Sequence, residues 1–160
     1  MRLTIMRNRF MAAAAASVAL AAPAAFADED HATKEAWRLF VADHTKPVVR
    51  VIDFETGKEL GSYDVQGYSA LTASASGRTV FAAQAEANVI NAIKTGINFS
   101  DHGEHQDVGV EESALLPVKF EGQRPGHVVP HDDHVILFYD REDKAEIVDE
   151  AAILEGKIEK

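Results

Sequence analysis

Short apolar runs, each about six residues long and closed by turn residues, recur through most of the chain. Arg38-Leu39-Phe40-Val41-Ala42-Asp43 is the first clear one, followed by the turn His44-Thr45-Lys46-Pro47. Val48 to Asp53 makes a second strand. Glu55-Thr56-Gly57-Lys58 is a tight turn with glycine where a positive φ is wanted. Glu59 to Val65 alternates well enough for a third strand, and Ala70 to Ala75 supplies a fourth. The order then restarts. Ser76-Gly77-Arg78 is a turn, Thr79 to Gln84 matches the first strand, Ala87 to Ile93 matches the second, and Lys94-Thr95-Gly96 matches the glycine turn. A third start lies at Val135 to Asp140, with Arg141 to Lys144 as turn and Ala145 to Asp149 as the next strand.

Phe40 to Phe81 is 41 residues, and Phe81 to Phe138 is 57, an excess of 16 that falls across Asn98 to Gly126. A four-stranded unit of about 40 to 45 residues is the period of a β-propeller blade. A β-sandwich of irregular hairpins is the plain alternative. The order strand, turn, strand, glycine turn repeats in register as well as in spacing, and that favours blades. The expectation is an all-β chain, a partial β-propeller of roughly three blades of four-stranded antiparallel sheets, with Phe40, Phe81 and Phe138 between the blades.

The first 27 residues stand outside this pattern. Arg2, Arg7 and Arg9 precede an apolar stretch from Phe10 to Ala22, Pro23 ends it, and Ala25-Phe26-Ala27 forms a small-x-small cleavage site before Asp28. The apolar stretch is too short for the roughly 20 residues that span a bilayer. Residues 1–27 therefore read as a secretory leader, 28–36 as a flexible acidic stretch and 37–160 as the propeller portion. The cleaved chain is expected in an exported compartment with no membrane insertion.

Charge and composition narrow the function. The 160 residues carry 16 Lys plus Arg against 26 Asp plus Glu, a net charge of −10. Removing the leader takes away three Arg and no acid, giving −13 for the mature part. That sign is wrong for a nucleic-acid partner. The absence of Cys excludes a disulfide scaffold, a thiolate metal site and a Cys nucleophile. No His-Glu-x-x-His helix, Gly-x-Ser-x-Gly elbow or phosphate-binding glycine loop occurs.

What remains is histidine, and all 7 lie in the mature part. Asp101-His102-Gly103-Glu104-His105-Gln106-Asp107 holds five residues able to ligate a divalent cation. His127-Val128-Val129-Pro130-His131-Asp132-Asp133-His134 holds three more histidines, with Pro130 to Asp133 reading as a hairpin turn. Both segments contain His-x-x-His. Imidazole with carboxylate and no thiolate suits Zn²⁺ better than Ca²⁺ or Mg²⁺, which prefer oxygen shells. Cu²⁺ and Ni²⁺ remain possible by affinity order. Protons compete for imidazole, so metal affinity should fall below the ordinary His pKa of about 6.5. A solvated acidic loop is the plain reading of the first segment, and simple turn residues of the second. Asp28-Glu29-Asp30-His31 is a weaker collector, and His44 a turn residue.

The runs Trp37 to His44, Ser74 to Ala82 and Asp101 to Asp107, continued by Arg124-Pro125-Gly126-His127 through His131, resemble the N-terminal part of the AztD-type periplasmic zinc metallochaperones. The resemblance extends from about Trp37 to the end. It implies a periplasmic β-propeller that binds zinc without catalysis and passes it to the solute-binding protein of a zinc ABC importer. Carried over residue by residue, it implies His102, His105 and His127 as ligands, with Asp107 and His131 as candidates and His134, Asp101 and Glu104 behind them. The family's propeller is more than twice as long, so this chain is expected to be a fragment of the ring. A zinc-dependent hydrolase fragment and a metal-free interaction module are the alternatives.

Overall fold

The computed structural model describes residues 18–21, 36–101, 103 and 106–158. Three antiparallel sheets stack face to face. The first is built from β1 (Val18–Ala21), β2 (Arg38–Asp43), β3 (Val48–Asp53) and β4 (Glu59–Asp64), in that order. The second contains β5 (Ala70–Ala73), β6 (Thr79–Gln84), β7 (Val89–Lys94) and, after an interruption, β10 (Ala114–Glu121). The interruption is a separate hairpin, β8 (Ile97–Asp101) and β9 (Gln106–Val110). The third sheet is β11 (Pro125–His131), β12 (His134–Tyr139) and β13 (Lys144–Asp149), followed by the short helix α1 (Glu150–Leu154). None of the described helices is long and apolar enough to cross a membrane.

The hairpins within each sheet turn on short connections with definite chemistry. After β3, Asp53 Oδ1 accepts from the Thr56 amide at 2.7 Å and the Thr56 hydroxyl at 2.6 Å. Gly57 then takes φ +67°, as its place in the sequence predicts. The β6–β7 and β12–β13 turns both end on a short polar residue with positive φ, Asn88 at +59° and Asp143 at +49°. In the β2–β3 turn the same place is held by Pro47, whose ring forbids that conformation. There Val48 N–H closes the turn on Lys46 O instead, at 2.8 Å.

Two apolar layers fill the gaps. Phe40, Val49 and Val51 of the first sheet pack on Val80, Ala82 and Ile93 of the second. Phe81, Ile90 and Ala92, on the second sheet's other face, pack on Val128, Val135, Leu137 and Tyr139 of the third. This alternation follows from the period of two along each strand.

The structure corrects three details of the sequence reading. Ala70–Ala73 opens the second sheet and does not close the first; the fourth strand of the first sheet is β1, which falls inside the segment assigned to a leader. The third sheet has three strands among the described residues, and a helix follows it. Phe138 is not between sheets: it is 37% exposed, on the face turned away from the second sheet. The place of Phe40 and Phe81, third in β2 and β6, belongs in β12 to Ile136. Counted from strand starts, the intervals are 41 residues (Arg38 to Thr79) and 55 (Thr79 to His134), a difference of 14. The inserted segment Ile97–Val110 accounts for all 14.

Candidate metal-binding rim

The starts of β2, β6 and β12 lie on one rim of the stack, and polar bonds across the sheets define it. Arg38, first in β2, donates to the carbonyls of Thr95 and Glu111. Thr79, first in β6, donates its hydroxyl to Glu150 Oε1 at 2.8 Å, and Ser76 donates to Oε2 of the same carboxylate at 2.7 Å. Glu150 is 2% exposed, and its amide donates to Asp133 O at 2.8 Å. Thr95 lies just beyond the end of β7 and returns its amide to Arg78 O at 2.8 Å. The base of the β8–β9 hairpin and the tip of the β11–β12 hairpin therefore rise from the same rim. Each of the two His-x-x-His segments belongs to one of these hairpins.

Of the first segment, His102, Glu104 and His105 lie outside the described residues; by sequence they belong to the connection between β8 and β9. Asp101 ends β8 opposite Gln106, and Asp107 is exposed on β9 opposite Ser100. At the hairpin base, Lys94 Nζ stands 2.7 Å from Glu111 Oε2 and holds that carboxyl below its ordinary pKa.

The second segment is described in full. The turn is the two residues Asp132 and Asp133, tighter than the Pro130 to Asp133 expected, with Asp132 at φ +50°. His131 and His134 are direct cross-strand partners. Such partners place their Cβ atoms about 4.5–5.5 Å apart, close enough for both rings to reach one ion. His134 Nδ1 lies 2.5 Å from Asp133 Oδ1, and His131 Nδ1 lies 3.5 Å from Asp132 Oδ2. With its proton on Nδ1, facing Asp133, His134 would present Nε2 to an ion, the arrangement that orients imidazoles toward zinc. Both rings are exposed, so an ion held here exchanges readily with solvent.

His127 shares the outward face of the third sheet with His131 and His134 but lies four residues down β11. At about 3.3 Å per residue it is about 13 Å from His131, so it does not join that pair around a single ion. It stands opposite Phe138, next to the register shift between Pro125 and His127. His44 lies on the far rim, with its ring centroid 5.6 Å from that of Tyr68. Among the described residues no three His, Asp or Glu side chains form a ready-made metal shell.

The chain is 42% identical over 155 residues to the zinc chaperone AztD of Citrobacter koseri, a match that covers 96% of this chain. The resemblance seen in the sequence thus holds along nearly all of it. It covers 36% of AztD, so this chain spans about a third of that relative's length. The crystal structure of Citrobacter koseri AztD superposes with a TM-score of 0.75 at 44% identity, over 78% of this chain and 33% of AztD. Apo AztD from the same organism gives 0.74 over the same shares. The stacked sheets are thus a section of the AztD fold. No family model matches the chain.

Sequence reasoning found the histidines but missed the groups that set their frame. Arg38 and Glu150 were not singled out, and Gly96 was read only as a turn glycine. An arginine opening an otherwise apolar strand was the one available signal.

Proposed function

We propose that this chain carries zinc as cargo in the periplasm, once the leader is removed, and hands it to the solute-binding protein of a zinc importer. The rim histidines hold the ion: His102 and His105 on one hairpin, His131 and His134 on the other. Asp101, Glu104 and Asp107 are oxygen donors beside the first pair, and His127 is a separate ligand further down the third sheet. The observation that carries this reading is the likeness to a zinc chaperone over 96% of the chain, joined to two hairpins rising from one rim, one bearing His131 and His134 and the other, by sequence, His102 and His105. Exposed imidazoles backed by carboxylates suit a carrier, because release to an acceptor needs ligands that can leave one at a time.

Equilibrium dialysis against zinc, read by elemental analysis, is the direct test. The full chain should retain zinc. His102→Ala/His105→Ala and His131→Ala/His134→Ala should each lower retention. The second variant should leave stability within about 0.5 kcal/mol, because both rings are exposed. Retention unchanged in both double variants would refute the rim as the site. Zinc that stays on the loaded chain when a purified importer solute-binding protein is added would refute the transfer step.

A further inference from the structure

We infer that Arg38 is a positioning residue: from the first sheet it sets the angle of the β8–β9 hairpin, which by sequence bears His102 and His105. That the hairpin carries zinc rests on the reading above; the clamp itself does not. Arg38 is 6% exposed and opens β2. Its guanidinium donates through Nη1 to Thr95 O and through Nη2 to Glu111 O. These carbonyls flank the hairpin on its two sides, one just before β8 and the other just after β9. They are joined by the Glu111 N–H to Gly96 O bond of 2.7 Å. One rigid fork therefore grips both legs at the base, through charge-assisted bonds of the stronger kind.

Gly96 completes the seat. It takes φ +75°, and a Cβ there would stand 2.3 Å from Arg38 Nη1 and 2.4 Å from Glu111 O. The backbone has to be bare for the guanidinium to fit. Tyr63 of β4 adds a second tie from the first sheet, with its hydroxyl 2.8 Å from Ser113 Oγ. The hairpin is inserted in the second sheet, and its base is held from the first sheet as well as from its own.

Leverage makes the base matter. Five residues separate base from tip, about 17 Å at 3.3 Å per residue, so a swing of about 10° moves the tip about 3 Å. Metal ligation tolerates deviations of about 0.2 Å. A loose base would let the hairpin keep its own ligands while losing their alignment with the rest of the rim.

The chain has no Cys, so spin labels can be placed at Ser100→Cys on the hairpin and Glu86→Cys on the far rim. Pulsed electron-spin distance measurement on the metal-free full chain should give one narrow distribution. Arg38→Gln should widen it at least about twofold, and Gly96→Ala, which keeps the arginine but fills its seat, should do the same. Zinc titration against a chromophoric chelator adds the second readout. Arg38→Gln should weaken binding at least about tenfold in the parent chain, and less than about twofold in a His127→Ala/His131→Ala/His134→Ala background, where of the proposed ligands only those of the hairpin remain. An unchanged width in both variants overturns the proposal, whatever zinc does. Equal losses of affinity in the two backgrounds also overturn it, since Arg38 would then act on the fold at large. If the distribution widens but the parent chain binds no zinc, the clamp stands and the zinc reading alone falls.

Discussion

The second and third sheets have closely similar strands but different surroundings. In the second sheet every residue of β6 is buried, as are five of six in β7, because apolar layers cover both faces. In the third sheet one face carries Val128, Val135, Leu137 and Tyr139 against the second sheet. The other carries Val129 at 43% exposure, Phe138 at 37% and Ile147 at 71%. The outward face is apolar in its middle rows and has the cross-strand histidine pair at its rim. The middle sheet shows what a blade looks like when both neighbours are present. Among the described residues the third sheet shows the same design with one neighbour. Here burial along a strand follows the number of sheets packed on it, and the exposed histidine pair stands at the rim.

The largest contrast should come from cutting one aromatic ring in each setting. Phe81→Ala removes a fully buried ring between the second and third sheets and should cost about 3–5 kcal/mol in urea unfolding, whereas Phe138→Ala on the open face should cost less than about 1 kcal/mol. Equal losses would mean that the outward face is covered in solution. Glu150→Ala comes next. It takes away the buried carboxylate that Ser76 and Thr79 share, and with it the polar tie at this rim between the second sheet and the helix that follows the third. The expected cost is about 1–3 kcal/mol by thermal or urea unfolding, with Glu150→Gln in between. No loss in either variant would show that this carboxylate adds nothing to the apolar layer between the sheets.

The smallest effect belongs to the exposed β2–β3 turn. There the Thr45 hydroxyl and amide, with Arg50, hold the Asp43 carboxyl down at about 2. A folded pKa below the ordinary carboxylate value stabilises the fold above about pH 4, and the contribution is lost as pH falls through about 2. An Asp43→Asn chain should therefore show a flatter acid limb between those limits when unfolding is followed against pH. Identical limbs would remove the turn from the acid response.

Much of the architecture was legible in the sequence because the blade repeat is local. Strand lengths, the glycine turn at Gly57 and the place of the insertion follow from residues a few positions apart. The errors came where local pattern is silent. Ala70–Ala73 was given to the wrong sheet because a meander and a step to a new sheet use similar connections, and Val65 to Ser69 carries no mark to tell them apart. Phe138 was aligned by its aromatic ring, but strand starts set the register, and by that measure Ile136 is the equivalent. The grip of Arg38 on carbonyls 57 and 73 residues away leaves no trace in spacing. For the histidines, sequence supplied the donors and their intervals. Only the cross-strand register separates His127 from His131 and His134.

The 14-residue insertion closes on itself. Ile97 pairs with Val110 at its base, and β10 resumes pairing with β7 at Ala114 opposite Lys94, the strand's last residue. The host sheet is thus interrupted in sequence but not in space. An element joined in this way behaves as a graft. It can be lengthened, exchanged or removed while the strands on either side keep their partners. In a repeating fold, new chemistry can therefore be acquired at a single loop without renegotiating the framework.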